Sequence, residues 1–301
     1  MKTLVTGGAG FIGSHTVEAL LAEGAAVTVL DDFSNGKRDN LPGHAALAII
    51  EGDVRDAAAV DAALEGVDRV LHLAAQVSVQ SSVREPVASC GHNIVGFLNV
   101  LDGARRRGIR RVVYASSAAV YGTPAELPLS EASPVGPISP YGLEKLIDDQ
   151  YAALYASLYG MSTLGLRYFN VYGPRQDPRS PYAGVISRFV DAVRTGQPVR
   201  IFGDGMQTRD FVYVKDIAEA NRRALAADAT GRCNVGTGRT VTLLDLVAAL
   251  ERVGERTVAR QFEPPAAGDI RDSATSTGRL AQALGFVPQT PLEIGLSALF
   301  G

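Results

Sequence analysis

The chain has 301 residues, 46% of them hydrophobic and 20% charged, enough to bury a large core in one big domain or two. A formal net charge of −3 and a pI near 5.9 argue against a polyanionic partner such as nucleic acid. Cys90 and Cys233 lie far apart without metal-ligand spacing, the histidines do not cluster, no apolar run reaches membrane length and no signal peptide opens the chain; the expectation is a cytoplasmic protein with no disulfide, metal or membrane partner.

The first predicted strand, Thr3-Leu4-Val5, runs into Thr6-Gly7-Gly8-Ala9-Gly10-Phe11-Ile12-Gly13, and Ser14 to Leu21 follows with helical periodicity. Gly7 permits the tight turn, Gly10 lets backbone approach a phosphate, and Gly13 lets the helix pack on its strand. Exposed amides at a positive helix end favour an anion, so Gly7, Gly10, Phe11, Ile12 and Gly13 are expected to hold a dinucleotide pyrophosphate. Such glycines also make turns that bind nothing, so the next strand matters. Ala26 to Leu30 ends in Asp31, whose carboxylate can accept from both hydroxyls of an adenine ribose and would repel a 2′-phosphate. That favours NAD over NADP, although Lys37 and Arg38 follow in the loop containing Asn35 and Gly36, also assigned to the cofactor. Past the strand Ala48-Ile49-Ile50, Asp53 and Val54 are placed for the adenine edge; past Arg69 to His72, the tip Leu73-Ala74-Ala75 lies near the nicotinamide half.

A helix around Val95 to Ala104 ends in the basic run Arg105-Arg106-Arg107 and Arg110-Arg111, read as a solvated, dipole-complementing helix end rather than a nucleic-acid site. The strand Arg111 to Ala115 then delivers Ser116, Ser117, Ala118 and Ala119 to its carboxyl end, where ligands of open α/β sheets bind. Ser116 reads as a turn residue and Ser117 as a hydroxyl bonded to a substrate oxygen. In the helix beginning near Ser139-Pro140, Tyr141 and Lys145 project from one face. A cation about 5 Å from a phenol, at an effective dielectric near 20, favours phenolate by roughly 3 kcal/mol, about 2 pKa units, making tyrosine a usable base at neutral pH. On an exposed helix face the same pair would carry no chemistry; its place after the Ser117 strand gives it meaning.

Strands and helices alternate to about Thr163, indicating a Rossmann-type doubly wound parallel sheet. The rhythm breaks in the Pro/Gly-rich stretch Gly173 to Pro181, so residues 1–168 are expected to form the NAD-binding domain and 169–301 a smaller substrate lobe, with about 231–236 returning to the main sheet.

With these residues on the page, the chain resembles the extended short-chain dehydrogenase/reductase superfamily and, within it, the UDP-sugar 4-epimerases. The resemblance covers nearly the whole chain. Its signatures are Thr6 to Gly13, Leu73-Ala74-Ala75-Gln76, Asn93, Ser117 with Val120-Tyr121-Gly122, Tyr141 with Lys145, Arg167 to Pro174, and Gly203-Asp204-Gly205 with Gln207 to Phe211. It implies an isomerase with tightly held NAD. Tyr141, helped by Ser117 and Lys145, would take the proton of the sugar 4-hydroxyl as hydride leaves C4, and the 4-keto sugar would turn over and be reduced on its other face. The resemblance assigns Asn170, Val185, Ile186, Val199, Ile201, Phe202, Arg209 and Asp269 to the UDP-sugar. Ser273 stands where the family faces the sugar C2 substituent, and its small side chain implies room for an N-acetyl group. It also implies a homodimer built on helices like Val95 to Ala104 and Leu146 to Leu158, where Ile147, Tyr151, Leu154 and Leu158 carry apolar surface on more than one face.

Related dehydratases and decarboxylases place carboxylates where this chain has Ala118 and Ala119, and lacking an acid or base costs roughly 10²–10⁴ in rate per group, which counts against both. A net sugar-nucleotide reductase and a non-catalytic NAD-binding regulator remain as alternatives. The chain also departs from the epimerase pattern: Ala266 stands before Gly268-Asp269 where the family has a diphosphate-binding arginine, leaving Arg209, with Arg271 as a candidate substitute.

Overall fold

A computed structural model describes residues 1–176, 184–265 and 270–300. In the first half strands are mostly followed by helices: β1 (Lys2–Thr6), α1 (Phe11–Ala22), β2 (Ala26–Asp31), β3 (Leu47–Glu51), α2 (Ala57–Ala63), β4 (Arg69–His72), α3 (Val79–Arg84), α4 (Pro86–Cys90), a π-helical turn (Gly91–Val95), α5 (Gly96–Arg106), β5 (Arg111–Ser117), α6 (Pro140–Tyr159) and β6 (Ser162–Tyr168). The rest is mixed: β7 (Asn170–Tyr172), α7 (Val185–Thr195), β8 (Val199–Phe202), β9 (Thr208–Arg209), β10 (Phe211–Tyr213), α8 (Val214–Ala226), β11 (Gly231–Val235), β12 (Val241–Thr242), α9 (Leu243–Val253), β13 (Arg260–Glu263), α10 (Gly278–Leu284) and α11 (Leu292–Ser297).

Seven strands form one parallel sheet in the order β11-β6-β5-β4-β1-β2-β3, a Rossmann-type doubly wound arrangement. Consecutive residues of one strand serve opposite layers, which is why its central strands read as unbroken apolar runs. Val5, Val29, Leu71 and Val113 pack with α1 and α8; Leu4, Leu30, Val70 and Val112 pack on the other face with α2 and α5. A third core, around Phe189, Val199, Ile201, Tyr213, Leu246 and Leu250, holds α7, α9, α11 and the short strand pairs together.

Later segments complete the first sheet. β11 pairs with β6, and α8 covers the α1 face. Arg111 departs from the expected solvated basic run: it lies on β5, half-buried, and donates to Ala224 O, Ala229 O and Ser162 Oγ, so it closes the C-terminus of α8. The run's other arginines behave as surface charges, Arg105 and Arg106 on Asp102 and Arg107 on Asp61. The expected helix over Val95 to Ala104 is preceded by the π-helical turn, which turns Asn93 into the interior.

Candidate active site

The glycine turn is built by steric necessity. Gly7 has φ +68°, and a Cβ there would lie 2.7 Å from Ala74 N, so the tips of β1 and β4 touch backbone to backbone. A Cβ at Gly13 would sit 2.8 Å from Gly8 Cα, with Gly7 O nearer still, so α1 rests directly on the turn. Gly10 is the N-cap of α1 and contributes no capping side chain, which leaves the first amides of the helix, at Phe11 and Ile12, directed at the open end. A cradle that a single methyl group would fill, lined by N–H groups, fits a dinucleotide pyrophosphate.

Asp31 is 7% exposed and does more than the sequence indicates. Its Oδ2 accepts from Ala9 N at 2.8 Å and its Oδ1 from Phe33 N at 2.9 Å, so one carboxylate ties the glycine turn to the loop after β2. Burial raises its pKa while these amides pull it down. Gly36 presses on the same group, since a Cβ there would be 2.9 Å from Asp31 Oδ1. Lys37 N and Asn40 Nδ2 both donate to Ala9 O, and Asn35 is exposed on this loop. Arg38 stacks over Phe33 and pairs with Glu51, which holds one of the two nearby cations away from a 2′-phosphate. Asp53 is engaged by Arg55 through N and Nε at 2.8 Å each, which lowers its pKa, and the Val54 side chain belongs to the second core; an adenine contact from Val54 would use backbone only.

At the β4 tip, the buried Thr6 hydroxyl accepts from Leu73 N and Ala74 N at 3.2 Å and lies 2.9 Å from His72 Nδ1. Burial drives the His72 pKa down to about 3, so the ring is neutral. Beyond Ala75, Asn93 Oδ1 accepts from Gln76 N at 2.8 Å, and its Nδ2 donates to Gln76 O at 2.9 Å and to Glu144 Oε2 at 2.6 Å. One asparagine therefore fixes the strand tip to α6.

Ser117 ends β5 and its Oγ accepts from Ala119 N, capping the short turn Ala118–Tyr121. The α6 N-terminus rests on that turn, since a Cβ at Gly142 would be 2.7 Å from Ala119 O. The helix starts at Pro140 because Ser139 Oγ accepts from Gly142 N and proline needs no N–H partner at N1. Tyr141 N donates to Ser82 Oγ at 3.1 Å, anchoring the phenol's backbone to α3. Lys145, 1% exposed, donates from Nζ to Asp148 Oδ2 at 3.1 Å. Burial works against its ammonium, but Asp148 and then Tyr141 more than offset this, and its pKa lies above the ordinary value.

The expected substrate residues separate into two groups. Asn170, at the start of β7, is held by Asp210 O through its N and Nδ2; Arg209 Nη1 donates to Thr208 O and Arg271 O; and Ser273, half-buried, donates from N to Thr208 O. Phe202 borders a groove of about 430 Å³ shared with Gly203, Asp204, Gln207, Glu263, Pro265 and Arg271. The side chains of Ile186, Val199 and Ile201, in contrast, are absorbed in the third core, against which Val185 is partly packed, leaving Phe202 as the exposed member of this set; strand alternation on β8 turns Val199 and Ile201 inward and Phe202 outward. Arg271 is paired with Asp204 at 3.0 Å. Asp269 and Ala266 lie outside the described residues. Asn40, Ser82 and Asp148 are not singled out by the sequence, which marks Thr6 and Glu144 only as members of their motifs; of the three, only Asp148, one turn from Lys145 on the same helix face, leaves a local signal.

Comparison with known proteins is consistent over almost the full chain. Residues 3–236 match the family model described as the NAD dependent epimerase/dehydratase family. The UDP-glucose 4-epimerase of Mycolicibacterium smegmatis is 41% identical over 305 aligned positions, covering 99% of this chain and 96% of that protein. The structure of a UDP-N-acetylglucosamine 4-epimerase from Methanobrevibacter ruminantium, in complex with UDP-N-acetylmuramic acid, superposes with a TM-score of 0.95 at 39% identity, covering 99% of this chain and 96% of that one. The UDP-glucose 4-epimerase of Thermus thermophilus, solved with NAD, gives 0.91 at 39% identity over 99% and 97%.

Proposed function

The chain belongs to the NAD-dependent epimerase/dehydratase family, and from that premise we propose that it is an isomerase inverting C4 of a UDP-hexose, with Tyr141 as the base. What supports this reading is that α6, which carries Tyr141 and Lys145, rests by its N-terminus on the turn that Ser117 caps at the carboxyl end of β5, in a chain whose β1 and β4 tips form a methyl-free glycine cradle. NAD, when bound, supplies a reversible hydride acceptor for C4. Tyr141 takes the proton of the 4-hydroxyl, the Ser117 hydroxyl donates to the same oxygen, and the Lys145 ammonium favours the phenolate. The sugar, held through its UDP, then presents its opposite face, and Tyr141 returns the proton. Ala118 and Ala119 supply no acid or base for elimination, which favours epimerisation over dehydration.

The proposed UDP-sugar site comprises the groove beside Phe202 together with Asn170, Arg209 and Ser273, and small Ser273 supports acceptance of both plain and N-acetylated hexoses. The proposed domain division runs at residue 168, with α8 and β11 serving the NAD-binding layer. A homodimer is proposed through the helices α5 and α6, a reading supported by the exposed apolar side chains of Leu143, Leu154 and Leu158 on α6 and of Val95 just before α5. No helix among the described residues is long and apolar enough to cross a membrane, which is compatible with the cytoplasmic setting proposed here.

The test is product separation after incubation with UDP-glucose, UDP-galactose and their N-acetylamino counterparts, run beside Tyr141→Phe. Interconversion by the wild type and none by the variant, with NAD retained in both, is expected. A variant keeping a tenth or more of kcat would remove Tyr141 from the role of base; net production of NADH would indicate a dehydrogenase instead, and net consumption of added NADH a reductase.

A further inference from the structure

Behind the proposed base lies a buried cluster of charge of which the reaction as proposed uses only Lys145. Glu144, Lys145, Asp148, Asp149 and Arg167 are 4%, 1%, 0%, 3% and 1% exposed. Asp149 is fully matched, with Arg167 on its Oδ2 through Nε at 3.0 Å and Nη2 at 2.7 Å, and with Tyr114 OH on its Oδ1. Glu144 accepts from Ser89 Oγ and Asn93 Nδ2 on one oxygen. Asp148 has Lys145 on Oδ2, while its Oδ1 is buried without any partner. The other groups facing it add no positive charge: His72 on β4 is neutral, Tyr114 on β5 is committed to Asp149, and Arg167 on β6 is spent on Asp149 and Tyr121. Three carboxylates thus share an interior with two cations. A surplus buried charge costs several kcal/mol, so one proton is best kept, and Asp148, whose second oxygen is buried without a partner, is where it belongs.

We propose that Asp148 is a positioning residue that sets the field reaching Tyr141: protonated, it leaves the Lys145 charge directed at the phenol, and ionised, it cancels that charge. The proposal rests on the reading of Tyr141 as the base. Burial raises the Asp148 pKa to about 7 against the pull of Lys145, which puts the switch in the working range. Because Lys145 also interacts with the Tyr141 phenol, loss of a proton by Asp148 to solvent makes it harder for Tyr141 to lose its own. The two proton losses are thereby coupled through Lys145, and removing the Asp148 charge favours loss of the Tyr141 proton.

The experiment is a near-ultraviolet phenolate titration of the NAD-loaded enzyme, with Tyr141→Phe subtracted to isolate one of the ten tyrosines. Wild type is expected to show Tyr141 phenolate appearing at higher pH than the variant that lacks the Asp148 charge. Asp148→Asn, titrated against Asp148→Asn/Tyr141→Phe, is expected to show a single one-proton step at lower pH, with the acid limb of kcat moving the same way. An Asp148→Asn titration matching wild type, or a drop in kcat with no change in its pH profile, would overturn the proposal. If Asp148→Asn does not fold, Asp148→Ser, which removes the same charge with a smaller side chain, is titrated in its place, and a phenolate titration matching wild type overturns the proposal there as well. Activity remaining in Tyr141→Phe would instead overturn the catalytic reading, so the two failures are distinguishable.

Discussion

Two glycines of the same motif have different duties, and alanine separates them. At Gly13 a Cβ would stand 2.8 Å from Gly8 Cα and 2.9 Å from Gly7 C, atoms of backbone that have no rotamer to yield. Overpacking of this kind costs about 1–3 kcal/mol, and the rigid contact puts Gly13→Ala at the upper end. With an unfolding entropy of about 2.1 cal/mol/K per residue, a chain of 301 residues loses roughly 1.5–2 °C of Tm per kcal/mol, so the apo variant is expected to melt about 5 °C lower. At Gly10 a Cβ meets only Gly7 O, at 3.2 Å, which a small adjustment relieves. Gly10→Ala should therefore leave the apo Tm within about 2 °C, because the N-cap exchange itself is worth at most about 1 kcal/mol. The same methyl group occupies the approach of the pyrophosphate to the helix amides, and losing charge-assisted contacts worth about 1.5–3 kcal/mol weakens NAD binding about 10- to 100-fold. Scanning fluorimetry of the apo proteins and measurement of co-purifying NAD give the two readouts. Gly10→Ala retaining NAD like wild type, or Gly13→Ala melting with wild type, would refute the division of roles.

Asp31→Ala is expected to weaken NAD, since the Ala9 and Phe33 amides lose their acceptor, and to lower the preference for NAD over NADP; an unchanged ratio in binding titrations would move discrimination elsewhere. Arg209→Ala is expected to raise the UDP-hexose KM by about 10- to 100-fold if it pairs with the diphosphate. Arg271→Ala tests whether that residue leaves Asp204 to substitute for the missing arginine, and an unaltered KM rejects this. Ser273→Tyr is expected to suppress turnover of N-acetylated hexoses while sparing the plain pair, and equal loss on both pairs contradicts a size gate. Glu219 is drawn down to about 2 by Arg222 and then Arg223, so its stabilisation is complete above the ordinary carboxylate pKa and lost as pH falls toward 2. The Tm deficit of Glu219→Gln should accordingly shrink between about pH 4.5 and 2, and a deficit independent of pH would exclude the ion pairs as its cause.

What could be read from the sequence was local. The strand, glycine turn and helix at Gly7 to Gly13 announce themselves because φ freedom and missing Cβ atoms act within a few residues. Tyr141 and Lys145 share a helix face by periodicity alone, and the apolar runs of β1, β2 and β5 declare strands buried on both faces. Tertiary structure decided whatever depends on partners distant in the chain. Asp31 became a clamp on Ala9 only when β2 was laid beside β1, and Asn93 became a bridge only when α6 brought Glu144 to the π-helical turn. Arg111 was diverted from a basic surface run because α8 ended where its guanidinium could reach open carbonyls. Ile186, Val199 and Ile201 were claimed by a core whose other members lie far along the chain. The uncompensated carboxylate of Asp148 is the extreme case, because a charge balance exists only once burial has removed water and fixed which cation each carboxylate can reach.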